Sequence, residues 1–175
     1  MSSIDLIILG YLKNKEKSAY EMVKEFDSWS LNNWLKISSP SIYKNIIKLC
    51  ENGYLNSRTI KEGEMPEKTL YSINDKGNTY FQELMEESSK NIGKVYFDFN
   101  AFIVNIEKLP KEKRKEYIEN FKAKIKEPRA SVELRYNYEK EQTHIADSGV
   151  LLLELYNEYF KVLEKWSEKL SAFFE

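Results

Sequence analysis

The chain has 175 residues, 42% hydrophobic, 14% aromatic and 31% charged, with a formal net charge of −1. That is apolar enough for a core, which excludes a disordered chain, and long enough for one or two small domains. No apolar run approaches the ~20 residues that cross a bilayer, and no basic stretch before an apolar run marks a secretory signal.

Ser2 to Leu12 places Ile4, Ile8, Tyr11 and Leu12 at a helical period, and a polar linker runs from Lys13 to Lys17. Ser18-Ala19-Tyr20-Glu21 reads as a capping box, with Ser18 as N-cap and Glu21 reaching back to its amide. The helix it opens carries Met22, Val23 and Phe26 inside. Ser39 then reads as an N-cap with Pro40 at the first helical position, and Gly53 sits where a helix end asks for positive φ. Between them Ile42, Ile46, Leu49 and Cys50 form an apolar stripe, and Ser41, Lys44, Asn45 and Lys48 an opposite face that is cationic and hydrogen-bonding. That pattern suits a DNA recognition helix, although an ordinary amphipathic surface helix has the same one. Helix, helix, connection and capped helix make a helix-turn-helix with an extra leading helix.

Tyr54 to Ile60 and Thr69 to Ile73 are rich in β-branched and aromatic residues, and Lys61 to Lys68 between them is turn-forming. A hairpin directly after a recognition helix is a wing. Asn74 can cap the next helix, where Gly77 permits close packing, and that helix continues to about Ser89. Gly93 marks a break before an aromatic helix with Tyr96, Phe97, Phe99, Phe102, Ile103 and Ile106, ended by Leu109-Pro110. A helix over Lys111 to Gln142 follows, with Ile118, Phe121, Ile125, Val132 and Tyr136 inward and a kink or break near Glu127 imposed by Pro128. From about Gly149, Leu152, Leu155, Tyr159, Leu163, Trp166, Leu170 and Phe173 recur at steps of three and four, a coiled-coil-like seam. Some of these pack within the chain, but a stripe this wide predicts a partner helix and hence a homodimer.

Residues 1–80 hold 11 cationic and 10 acidic side chains, and the remainder 16 and 18. A DNA binder ordinarily carries a clearer basic footprint. The local cluster of Lys36, Lys44, Lys48, Arg58, Lys61 and Lys68 therefore predicts modest, salt-dependent affinity per monomer, which favours a dimer.

Five segments together carry a resemblance to the PadR family of transcriptional regulators. They are Ile8-Leu9-Gly10-Tyr11-Leu12, Ala19-Tyr20-Glu21-Met22, Ser41-Ile42-Tyr43-Lys44, Leu49 to Leu55, and Tyr71-Ser72-Ile73-Asn74-Asp75-Lys76-Gly77. Phe97 to Phe121 and Gly149 to Phe174 resemble the virulence-activator type of helical tail in the longer subgroup. The resemblance implies a mainly α fold with a small β-hairpin. A winged helix-turn-helix DNA-binding domain would occupy 1–90, and a helical dimerisation and effector domain 91–175. Two departures stand out. Ser18-Ala19 replaces the family's His-Gly pair, and Gly63-Glu64-Met65-Pro66-Glu67-Lys68 replaces a basic wing turn.

The implied function is a dimeric repressor on palindromic operator DNA, released by a small aromatic effector. The DNA-contact set is Ser39, Ser41, Tyr43, Lys44, Asn45 and Lys48, with Arg58 and Lys61 in the wing. Asn45 is the candidate adenine reader, and the Ser39 and Ser41 hydroxyls with the helix N-terminal amides would receive phosphate. The effector would bind where aromatic helices meet between the two parts, near Tyr96, Phe97, Phe99 and Trp166. A plain core role for those rings is the competing reading. The dimer would use Leu152, Leu155, Tyr159, Leu163, Trp166, Leu170 and Phe173. A winged helix that binds a protein instead of DNA is the alternative function.

Enzyme chemistry is not expected, nor a cofactor or metal. His144 is the only histidine, Cys50 the only cysteine, and the six glycines are scattered. Cys50 excludes an internal disulfide and fits a reducing, cytoplasmic compartment. Its helical position points it into the core.

Overall fold

The computed structural model describes residues 2–33, 35–61, 63, 66–141 and 146–174, with the side chain of Asn33 excepted. His144, Glu64 and Met65 lie outside these. The chain divides into two compact units, Met1–Lys94 and Val95–Glu175.

The first unit contains α1 (Ser3–Tyr11), β1 (Lys17–Ser18), α2 (Ala19–Ser28), α3 (Ser39–Glu51), β2 (Leu55–Ile60), β3 (Lys68–Ile73) and α4 (Asp75–Lys90). The strands form one antiparallel sheet in the order β1-β3-β2. Leu55 to Ile60 pairs residue by residue with Ile73 to Lys68, so the hairpin expected after α3 is present. The two-residue β1 was not expected. Lys17 and Ser18 pair with Tyr71 and Leu70, and Ser18 also caps α2. Ser18 accepts from the Glu21 amide at 3.3 Å, and the Glu21 carboxylate accepts from the Ser18 amide at 2.9 Å. These bonds to Ser18 hold the Glu21 carboxyl below the usual glutamate range. The box therefore stabilises the fold above that range and loses its contribution as the pH falls through it.

The core of this unit gathers Ile8 and Leu9 of α1, Leu12 just after it, Met22 and Phe26 of α2, Ile42, Ile46 and Leu49 of α3, Leu55 of β2 and Leu84 of α4. Each helix contributes one face, as its apolar period requires. Cys50 is half-buried beside this core, and burial pushes its thiol up, away from the reactive thiolate.

The second unit contains α5 (Asn100–Ile103), a 3-10 turn at Ile106–Lys108, α6 (Lys111–Glu139) and α7 (Asp147–Phe174). Its core of Ile106, Ile118 and Leu170 is flanked by Phe102, Ile103, Phe121 and Phe174. The structure departs from the sequence pattern in two places. Tyr96, Phe97 and Phe99 are not helical, and only the four residues of α5 are. Phe97 stacks on Phe99 at 5.2 Å and on Tyr159 at 5.9 Å. A helix would turn residues 97 and 99 about 200° apart and forbid that stack. Nor does Pro128 break the long helix, which runs through it. Proline removes one ladder hydrogen bond, but Ile125 and Val132 on either side are buried and Arg129 pairs with Glu164 of α7. Packing outweighs a local cost of about 3 kcal/mol.

Candidate nucleic-acid interface

Helix α3 begins one residue earlier than its sequence signals suggest. Ser38, with extended backbone (φ −139°, ψ 153°), is the N-cap, not Ser39. The Ser38 amide donates to Ser41 Oγ at 2.9 Å, the Ser41 amide donates to Ser38 Oγ at 3.4 Å, and Pro40 falls in the first turn, where its missing N–H costs nothing. Ser41 Oγ also donates to the Ser38 carbonyl at 2.6 Å. Its hydroxyl is committed to holding the helix start.

The other end of α3 is tied to α4. The backbone reverses at Gly53 (φ 73°). Asn74 Nδ2 donates to the Gly53 carbonyl at 3.1 Å, and Lys76 Nζ donates to the Asn52 carbonyl at 2.7 Å. Asn74 Oδ1 meanwhile accepts from the Gly77 amide at 2.9 Å, capping α4. Tyr54 and Tyr80 stack with centroids 4.4 Å apart. Both termini being fixed, the outward face of α3 is held by the first unit.

On that face Tyr43, Lys44 and Lys48 are exposed, and among the described residues neither lysine is in an ion pair. Ser39 and Asn45 are half-buried at its edges. Ile47, which the spacing assigns to neither stripe, is 54% exposed. Its place three residues after Lys44 and four after Tyr43 was the signal available.

In the wing, Lys61 is exposed at the end of β2. Arg58 is occupied: its Nε and Nη2 donate to Glu16 Oε2 at 3.0 and 2.5 Å. That contact holds the Glu16 carboxyl below the usual range. Arg58 faces the linker before β1, a pairing across 42 positions that no local pattern announces.

In the second unit Phe99 lies 5.2 Å from Phe121 and 6.1 Å from Trp166, centroid to centroid. With the Phe97 stack this makes one aromatic cluster, beside an open apolar cavity of about 350 Å³ lined by Phe99, Phe102, Tyr117, Asn120 and Phe121. Tyr96 is 77% exposed, away from such stacking. Of the expected seam, Leu170 is buried inside the chain against Ile106 and Ile118, and Tyr159 and Leu163 are half-buried. Leu152, Leu155, Trp166 and Phe173 are exposed, together with Leu151 and Val162. The face of α7 turned to α6 instead carries Leu153, Asn157 and Ser167. No helix of the described residues is long and apolar enough to cross a membrane, and no group of metal-ligating side chains is found among them.

Residues 8–83 match the family model for the transcriptional regulator PadR-like family. The negative transcriptional regulator PadR of Bacillus subtilis (strain 168) is 30% identical over 77 residues, which span 44% of this chain and 42% of that protein. Among solved structures, B. subtilis PadR in complex with operator DNA superposes with a TM-score of 0.84 at 21% identity, covering 100% of this chain and 99% of that one. B. subtilis PadR in complex with p-coumaric acid gives 0.79 at 18%, covering 99% and 98%. The Vibrio cholerae virulence activator AphA gives 0.71 at 18%, covering 97% and 96%. At these identities the structural likeness is one of fold, a winged helix with a helical C-terminal region. The family match is carried by the N-terminal segment, residues 8–83, which is similar to the PadR-like transcriptional regulators.

Proposed function

We propose that the protein is a cytoplasmic, dimeric repressor that binds palindromic operator DNA through α3 and is released by a small aromatic effector. The observation that carries the reading is the outward face of α3, where Tyr43, Lys44 and Lys48 are exposed on a helix fixed at both ends. The PadR-like match over the same segment supports it, as does the operator complex of B. subtilis PadR. Lys44 and Lys48 contact phosphate, and Ser39 and the first amides of α3 add to that site. Asn45 and Ser41 are lesser contributors, the first half-buried and the second held by its cap. Lys61 is the wing contact, and Arg58 joins it only by leaving Glu16.

A gel shift on the DNA around the protein's own gene tests this. Lys44→Ala and Lys48→Ala are each expected to weaken binding and to flatten the log–log salt slope by about one for every phosphate left without its lysine. Unchanged affinity in the double variant rules the surface out. Absence of any shift for the unaltered protein favours a protein-binding winged helix, to which the near-neutral charge of residues 1–80 also points.

The effector reading rests on the aromatic cluster of the second unit and on the p-coumaric acid complex of B. subtilis PadR. Phe97, Phe99 and Trp166 would line the site, with exposed Tyr96 at its rim. Titration with p-coumaric acid and a panel of phenolic and cationic aromatic compounds is expected to quench Trp166 emission. A flat response, or the same response in Trp166→Phe, removes the proposal and leaves these rings as core.

A further inference from the structure

We infer that Ile47 reads thymine, its side chain packing on the C5-methyl group in the major groove. This rests on the reading of α3 as the DNA-contacting helix and adds a base preference to it. Ile42, Ile46 and Leu49 are no more than 2% exposed, whereas Ile47 on the same helix is 54% exposed. A single exposed isoleucine is ordinary on a protein surface. Its position is what matters here. At 100° per residue, Ile47 lies about 40° from Tyr43 and about 60° from Lys44, near the middle of the outward arc. Asn45, the polar candidate for reading a base edge, is turned about 160° from Ile47 and is half-buried.

The chemistry of the arc selects the occupant. Tyr43 lies on one side of the isoleucine and Lys44 and then Lys48 on the other, so the face is complementary to a phosphate backbone and not to an apolar protein groove. Lysine and tyrosine contacts to phosphate position a helix without reading sequence. In the major groove thymine alone presents a methyl group, and an aliphatic side chain held there distinguishes it. Burial of one methyl-sized group corresponds to about a four-fold change in affinity per half-site.

The test is a binding selection from random duplex DNA with the full chain and with Ile47→Ala, followed by replacement of each enriched thymine by uracil, which removes only the methyl. Because Ile47 is exposed, Ile47→Ala is expected to keep the unaltered protein's circular dichroism, and Ile47→Val serves as the conservative variant. Four-fold weaker binding by the unaltered protein and by Ile47→Val when uracil replaces the thymine of one half-site, with Ile47→Ala indifferent, supports the assignment. A selected motif with no uracil-sensitive position, or with equal sensitivity in Ile47→Ala, overturns it while leaving DNA binding intact. No enriched motif from the unaltered protein overturns the DNA reading itself, and the thymine contact with it.

Discussion

Gly77→Ala is expected to destabilise the first unit by about 3 kcal/mol or more, lowering its thermal midpoint by at least roughly 10 °C. A Cβ at this position would lie 2.1 Å from the Tyr54 carbonyl oxygen and 2.8 Å from Ile73 Cγ1. The first neighbour is backbone, so no rotamer change relieves the clash. The same carbonyl accepts from the Asn74 amide at 3.4 Å, and the Gly77 amide is the one capped by Asn74. Moving α4 away would therefore disturb the anchor that holds the C-terminal end of α3. Circular dichroism through a thermal melt checks the stability, and the gel shift checks whether the remaining folded protein still binds. A midpoint within two or three degrees of the unaltered protein would show that the joint yields at little cost.

Leu155→Glu combined with Val162→Glu is expected to give a folded monomer whose DNA affinity has fallen by about 100-fold or more. The two side chains are 63% and 66% exposed in the single chain, and the intrachain face of α7 uses Leu153, Asn157, Ser167 and Leu170 instead. Carboxylates at 155 and 162 would cost the monomer little, whereas in a paired seam they would be buried without partners. One winged helix with so little net charge is expected to bind weakly. Two held about 34 Å apart on successive major grooves gain from effective concentration. Light scattering reads the oligomeric state and far-UV circular dichroism the helix content. A variant that still runs as a dimer and binds normally would falsify the seam as the dimer contact, as would deletion of residues 149–175 without loss of either property.

Local chemistry determined much of the first unit. Ser18 with Glu21, Asn74 before its helix, Gly53 with positive φ and the β-branched runs flanking 61–67 act through neighbours within a few positions. Such signals are written in consecutive residues and are legible there. So is the apolar stripe of α3, because a 3.6-residue period needs no partner to be recognised. Choosing Ser38 over Ser39 as cap was a near tie locally, decided by the reciprocal bond with Ser41.

Tertiary structure decided the rest, wherever two distant segments compete for the same group. Arg58 reads as a free wing cation until Glu16 is brought beside it. Phe97 and Phe99 read as one helix until Tyr159, Phe121 and Trp166 offer their rings a stack that a helix would not allow. Pro128 reads as a break until the burial of Ile125 and Val132 and the pairing of Arg129 with Glu164 of α7 hold the helix through it. The seam of α7 is split in the same way. Its spacing announces one wide apolar stripe, and only the position of α6 shows that Leu170 lies inward and Leu155 outward. Spacing along a chain records what a helix can bury, whereas which face is buried depends on where the next helix lies.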